Sequence, residues 1–250
     1  MNSKGETARV ALVTGGATGI GKAIAVKLAK AGINIAFCFN SSYGDAQDTK
    51  KELLGFGVKA KCYKCNVGVV AEIEELVKNA VLDFGRIDFL VNAAGTTYHV
   101  KHADLEGMKE EYFDDIFNIN VKGCFYVSRA VSEQIRKNNG VILNIASTSG
   151  VVPGGSCIAY AASKAAIINM TKALSKVFAP SARVVCLSPG LVETRWVNNT
   201  TWNLEKIAAE TPLGRIGLPE DVANAAAAII LDMNFVTGIN VVVDGGRTLC

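Results

Sequence analysis

The strongest constraint on this chain is an alternation that runs through most of its length. Short aliphatic runs with the size of strands are separated by amphipathic or alanine-rich runs with the size of helices. Strand-like runs occupy residues 8–14 (ARVALVT), 33–39 (INIAFCF), 58–67 (VKAKCYKCNV), the start of 87–95 (IDFLVNAAG), 141–147 (VILNIAS), 183–189 (RVVCLSP) and 238–246 (GINVVVDGG). Helical runs cover about 19–31, 43–56, 69–84, 107–137, 159–178 and 219–231. The apolar runs are near-continuous, as in strands buried on both faces, and strands joined through helices pair in parallel by right-handed crossovers. This pattern predicts an α/β chain: a doubly wound, seven-stranded parallel sheet with helices on both faces. No repeat, linker or low-complexity tract interrupts it, so residues 1–250 are expected to form a single domain. Residues 190–218 are the one long irregular connection, and a loop of that length is expected to act as a lid over a binding site.

Composition removes several function classes. The 26 basic and 23 acidic residues are scattered, which argues against nucleic acid as a partner. Apolar stretches such as ANAAAAIIL (223–231) fall short of the ~18 residues needed to span a bilayer, and MNSKGETARV lacks the apolar centre of a leader. The expectation is a cytoplasmic protein without a membrane partner. Seven cysteines without scaffold spacing fit a reducing compartment. Cys62 and Cys65 form a CxxC, but residues three apart on a strand point to opposite faces, so no redox or metal pair is expected there. His99 and His102 lie in a loop without carboxylate or thiol at ligand spacing and are read as solvated; no metal is expected.

Two motifs carry chemistry. TGGATGIG (14–21) sits between the first strand and the first helix, where Gly15, Gly19 and Gly21 let the backbone turn tightly and approach a ligand. The helix N-terminus behind them offers free N–H groups to a diphosphate. In AYAASKAA (159–166), Tyr160 and Lys164 are four residues apart, so a phenol and an ammonium share one face of a helix otherwise built from alanine.

TGGATGIG, NAAG (92–95), Asn120 in NINVKG, Ser147 in NIASTSG, Tyr160 and Lys164 in YAASK, and SPGLVET (188–194) follow one another as in the short-chain dehydrogenases/reductases, and the chain resembles that family over essentially its whole length. Its closest likeness is to β-ketoacyl-carrier-protein reductases and related carbonyl reductases. The resemblance implies a Rossmann fold and an NAD(P)(H)-dependent oxidoreductase that interconverts a ketone and a secondary alcohol. It implies Tyr160 as proton donor in reduction and acceptor in oxidation, and Lys164 as the group that lowers the phenol pKa and holds the nicotinamide ribose. Ser147 would hydrogen-bond the substrate oxygen, and Asn120 would hold a water that relays protons from Lys164. The cofactor would be lined by Gly15, Thr18, Gly19, Ile20 and Gly21; by Phe39, Asn40 and Ser41; by Asn66 and Val67; by Asn92, Ala93 and Gly95; by Tyr160 and Lys164; and by Pro189, Gly190, Val192 and Thr194.

NAD usually requires a carboxylate at the end of the second strand, to hold both adenosine ribose hydroxyls. Here Phe39, Asn40, Ser41 and Ser42 follow one another, which favours NADP(H) and leaves NAD(H) as the alternative. Relatives that use NADP often carry a cation just before the second loop glycine, where this chain has Thr18, and Asn66 stands where the family places an aspartate against adenine. Thr96, Thr148, Val152, Pro153 and Leu191, with Trp196 and Trp202 on the lid, are expected to line a mostly apolar substrate pocket at which no arginine or lysine is aimed. The positions matching basic residues that dock an acidic carrier are Asn138 and Ser181, so hydroxysteroids, small diketones and alcohols stand beside 3-oxoacyl thioesters as substrates. A homotetramer or homodimer is expected from the resemblance, with 219–231 and 238–243 as its contact face. A catalytically silent nucleotide-binding regulator and a non-redox lyase on the same scaffold are the competing readings; they predict loss of the catalytic set or of the glycine loop, and both are intact.

Overall fold

The computed structural model describes residues 8–198 and 202–250. Its strands are β1 (Val10–Thr14), β2 (Asn34–Phe39), β3 (Ala60–Lys64), β4 (Phe89–Asn92), β5 (Val141–Ile145), β6 (Arg183–Pro189) and β7 (Asn240–Val243). They form one parallel sheet in the order β3-β2-β1-β4-β5-β6-β7. The order reverses between β1 and β4, so the chain leaves their carboxyl ends in opposite directions and opens a crevice there.

Strand pleating decides what each helix covers. In β1, Ala11 and Val13 pack with Ile24 and Leu28 of α1 (Gly19–Lys30) and Ala226 and Ile229 of α10 (Pro219–Leu231). Leu12, between them, faces the other layer with Ile73 and Leu76 of α3 (Val70–Phe84) and Leu174 of α7 (Ile158–Phe178). α2 (Tyr43–Leu54) covers the β2–β3 end through Ala46 and Leu53. No helix among the described residues is long and apolar enough to cross a membrane.

The sequence reading differs from the structure in three places. The helix expected over 107–137 is four pieces: α4 (Glu110–Ile116), a π-helical stretch (Phe117–Gly123), α5 (Cys124–Ala130) and α6 (Ser132–Lys137). The widened turn carries Asn120, whose side chain bonds the backbone of Thr96, and Gly123 lies so close to the chain after β3 that a Cβ would stand 2.9 Å from the Val67 carbonyl oxygen. β3 is shorter than 58–67: it is the sheet edge, and of its five residues only Ala60 is buried, with Lys61 and Lys64 exposed. The lid segment holds α8 (Arg195–Asn198) and α9 (Leu204–Ala209); residues 199–201 of it lie outside the described residues, as do 1–7, most of the stretch read for a leader.

A buried polar chain ties the middle of the sheet to its helices. Asn92 Nδ2 donates to Asn144 Oδ1 (2.9 Å) and Ser128 Oγ (3.0 Å), and Asn144 Nδ2 donates to Thr171 Oγ1 (2.9 Å). Asn144, Ser128 and Thr171 are fully buried, so each bond replaces water that cannot reach the site. Asn144→Leu keeps the branched shape but removes one hydrogen-bond partner each from the Asn92 amide and the Thr171 hydroxyl, and urea unfolding is expected to show a loss of about 1–3 kcal/mol.

Candidate active site

A cleft of about 1110 Å³ lies over the carboxyl ends of the strands, lined by the glycine loop, the chain after β2 to β6 and the lid. Its floor fits a dinucleotide. Gly15 has φ +64°, and a Cβ on it would stand 3.0 Å from the Ala94 backbone; a Cβ on Gly21 would run into the Gly15 carbonyl oxygen. The loop therefore packs backbone on backbone and leaves its outer face free for a ligand. Thr18, the extended N-cap of α1, makes no side-chain cap bond, and the first turn of α1 carries no acidic residue, so the positive helix end meets the cleft without a resident anion.

Every residue predicted to bind cofactor lines this cleft except Asn92. Asn92 turns behind the wall into the buried polar chain, because its position on β4 faces the α3 and α7 layer. Asn66 lines the cleft, but its Oδ1 already accepts from the Gly68 N–H at 2.9 Å. The cysteines near it do not pair as the CxxC spacing would suggest: the Cys38 and Cys65 thiols hydrogen-bond each other, while Cys62 Sγ accepts from Gln47. All seven cysteines are free.

The catalytic candidates converge at the other end. Ser147 follows β5 and caps a single 3-10 turn, its Oγ accepting the Ser149 N–H at 3.1 Å and lying 3.2 Å from the Ser149 hydroxyl. Tyr160 stands in the first turn of α7, where Cys157 Sγ accepts its N–H, and its phenol faces Ser147 closely enough for the serine to lower its pKa. Lys164 is one turn on and 5 % exposed; its Nζ donates to the Ile145 carbonyl at 3.0 Å and lies 5.5 Å from the Tyr160 ring centroid. Asn120 is buried behind this group. Its Oδ1 accepts the Thr96 N–H (2.8 Å) while its Nδ2 donates to the Thr96 carbonyl (3.1 Å) and Ser163 Oγ (3.0 Å). The side chain expected to hold a relay water is thus occupied in clamping Thr96 at the cleft wall.

Burial governs the titration of both catalytic groups. It pushes the Tyr160 phenol up to about 12, against a lowering hydrogen bond from Ser147. It pushes the Lys164 ammonium down to about 8. Lys164, expected to lower the phenol, stands within 5.5 Å of its ring centroid with its ammonium anchored on the Ile145 carbonyl.

The substrate side holds Thr96, Thr148, Val152, Pro153, Leu191, Trp196 and Trp202, as expected. His99 is exposed at its mouth with its ring edge-on to Trp202 (5.8 Å), so it is a contact for the lid as well as a solvated side chain; His102 is half-buried. Two cations line the cleft that the sequence reading did not aim there. Arg195, on α8, reaches Asp45 of α2, and Arg247 reaches the Ile207 carbonyl and Glu210. Neither pairing has a local sequence signal, since its partners come from distant parts of the chain. Among the described residues no group of three or more metal-ligating side chains occurs.

Comparison with known proteins agrees with this geometry. A family model described as enoyl-(acyl carrier protein) reductase matches residues 15–248. The chain is 37 % identical to the 3-oxoacyl-[acyl-carrier-protein] reductase FabG of Thermotoga maritima, over 96 % of this chain and 98 % of that one. It superposes on the 3-ketoacyl-(acyl-carrier-protein) reductase of Brucella melitensis, solved with NADH, with TM-score 0.88 and 32 % identity over 96 % and 98 % of the two chains. It superposes likewise on a short-chain dehydrogenase/reductase from Serratia marcescens, with TM-score 0.89 and 29 % identity over 96 % and 98 %. With the glycine cradle, the Ser147, Tyr160 and Lys164 cluster and full-length likeness to these proteins, the chain belongs to the short-chain dehydrogenase/reductase family of oxidoreductases.

Proposed function

We propose that this chain interconverts a ketone and a secondary alcohol on a mostly apolar substrate, with NADP(H) as its preferred cofactor and NAD(H) as the second. The observation that carries the reading is one cleft holding an open glycine cradle at one end and Ser147, Tyr160 and Lys164 at the other. The nicotinamide would supply or accept the hydride. The glycine loop and the first turn of α1 would hold the diphosphate, and Lys164 a ribose hydroxyl. Ser147 would donate to the substrate oxygen, where negative charge develops, and Tyr160 would deliver the proton to that oxygen in reduction and remove it in oxidation. Asn120 would position Thr96, and with it the cleft wall.

The Thermotoga maritima and Brucella melitensis relatives are named as 3-oxoacyl carrier-protein reductases, which supports placing a 3-oxoacyl thioester first, with a hydroxysteroid or a small ketone or diketone beside it. Asn138 offers no charge to an acidic carrier; its amide donates to the Ile87 carbonyl at 2.9 Å. The apolar substrate wall favours a small-molecule substrate over a charged macromolecule. A homotetramer or homodimer is supported by the exposed Ile239 and Val242 beside and on edge strand β7.

Oxidation of NADPH and NADH, followed by absorbance with an acetoacetyl thioester, a keto-steroid, a diketone and a ketose, tests the reading directly. Turnover of one substrate class, faster with NADPH, is expected; no nucleotide binding in a parallel fluorescence titration would overturn it. Tyr160→Phe removes the phenolic hydroxyl and little volume, so kcat should fall by about 100-fold or more while nucleotide affinity stays close to the parent. Retained turnover would remove Tyr160 from its role.

Lys164 also predicts a pH signature. With a folded pKa of about 8 against an ordinary 10.5, the ammonium is disfavoured by burial. Between those values the unfolded chain binds more protons than the folded one, so the contribution of Lys164 to stability rises with pH. Lys164→Met should stabilise the protein at pH 7 by up to roughly 3 kcal/mol while abolishing turnover. The gap from the parent should close as the pH approaches 10.5; paired urea titrations at pH 7 and 10 measure it.

A further inference from the structure

Arg195 opens α8, yet its side chain ends at the opposite side of the cleft. Nη1 donates to Asp45 Oδ2 at 2.9 Å, and Nη2 lies 3.5 Å from Ser42 Oγ. Ser42 is the N-cap of α2 and gives its hydroxyl to no backbone N–H of that helix. Asn40, Ser41 and Ser42 line the cleft just where β2 ends, the place that faces the adenosine ribose in a doubly wound sheet.

Three cationic side chains line the cleft among the described residues: Lys164, Arg195 and Arg247. Lys164 is committed beneath Tyr160 to the Ile145 carbonyl, and Arg247 to the Ile207 carbonyl and Glu210 beside α9. Arg195 alone stands at the β2 end. Its pair with Asp45 is solvated, with side-chain exposures of 59 % and 44 %, so it is screened and readily exchanged. A guanidinium carries five N–H donors in a fork that suits a phosphate, and most of these remain beyond the bond to Asp45.

We infer that Arg195 reads the 2′-phosphate of the NADP(H) adenosine ribose. The inference rests on the dinucleotide reading above and deepens it. The selecting cation comes from the lid and not from the glycine loop, where Thr18 stands. Asp45 holds the guanidinium beside Ser42, and the phosphate completes its donor set. The residue that recognises the phosphate is thus already held across the cleft, by Asp45, before the phosphate arrives.

Calorimetric titration of the full chain with adenosine 2′,5′-bisphosphate and with 5′-AMP tests this without turnover. The parent should bind the bisphosphate more tightly. Arg195→Ala should weaken the bisphosphate by about 10- to 100-fold and leave 5′-AMP essentially unchanged, and Arg195→Lys should recover part of the loss. Asp45→Asn, which keeps the arginine and removes the nearby anion, should bind the bisphosphate at least as tightly as the parent. Equal loss on both nucleotides in Arg195→Ala, no loss on either, or a bisphosphate loss in Asp45→Asn as large as in Arg195→Ala would overturn the assignment and leave the dinucleotide reading standing. A parent chain that binds neither fragment nor NADPH would overturn both.

Discussion

The site is organised around one cation kept almost wholly out of water. Lys164 stands in the first half of α7, beside the end of β5, and its ammonium donates to the Ile145 carbonyl, the last of that strand. An ammonium there is costly, and burial lowers its pKa to about 8. That cost defines the arrangement around it. The ammonium cannot move far from the Ile145 carbonyl without losing its hydrogen bond, so strand end, lysine and the tyrosine one turn earlier are held in a common frame. Gly150 allows this frame to be tight, since a Cβ there would stand 2.5 Å from the Lys164 carbonyl carbon. The 3-10 turn that carries Ser147 and Gly150 is thereby pressed on the helix that carries Tyr160, which brings the serine within hydrogen-bond reach of the phenol.

The wall behind this frame is polar, and its amide groups hold neighbouring segments in position, although Asn92 Oδ1 is buried without a partner among the described residues. Asn120 grips both backbone groups of Thr96, as a strand neighbour would, although Thr96 lies in no strand. An irregular segment at the mouth of the cleft thus acquires the rigidity of a sheet. The π-helical stretch provides the geometry: its wider turn lets a buried asparagine reach sideways to Thr96 and Ser163 together. Asn92, Asn144 and Thr171 do the same one layer deeper, linking β4, β5 and α7. Both sets surround the point where the sheet order reverses, the place where a crevice would otherwise be held open only by apolar packing.

What the sequence made legible was local. Continuous apolar runs named the strands, and all seven pair in parallel as expected. The glycine loop and the Tyr160 and Lys164 spacing were legible because each needs only a few neighbouring residues to define it. The faces of strands were harder. Asn92 belongs to a motif that lines the cleft through Ala93 and Gly95, but strand pleating turns its own side chain to the opposite layer, and a near-continuous apolar run does not disclose that parity. The division of 107–137 escaped for a related reason: its periodicity is helical throughout, and only contacts with Thr96 and Val67 reveal where the turn widens. Arg195 is the extreme case. It was invisible as a cleft residue because its partner lies 150 positions away.

The two sides of the cleft differ in how they are held, and the difference bears on turnover. The floor is built from strands whose residues are almost all buried, and it gains from packing in both layers. The lid is seated by buried Val192, which joins the core, and by buried Val197 of α8, and beyond these it meets the cleft through aromatic edges and solvated polar groups. Trp196 meets the Tyr160 ring at 6.3 Å and 70°, Trp202 meets His99 at 5.8 Å and 75°, and Arg195 meets Asp45 in water. Edge contacts of this kind contribute about 0.5–1.5 kcal/mol each, and an exposed ion pair about 1 kcal/mol or less. Each is small beside the burial of Val192 and Val197, so the rim contacts can exchange while these two residues hold the segment to the core. Each contact also falls on a different part of the cleft: Trp196 on the Tyr160 ring, Trp202 on His99 at the mouth, and Arg195 on Asp45 beyond the end of β2. The one segment therefore covers both ends of the cleft together, and what happens at either end is felt through α8 at the other.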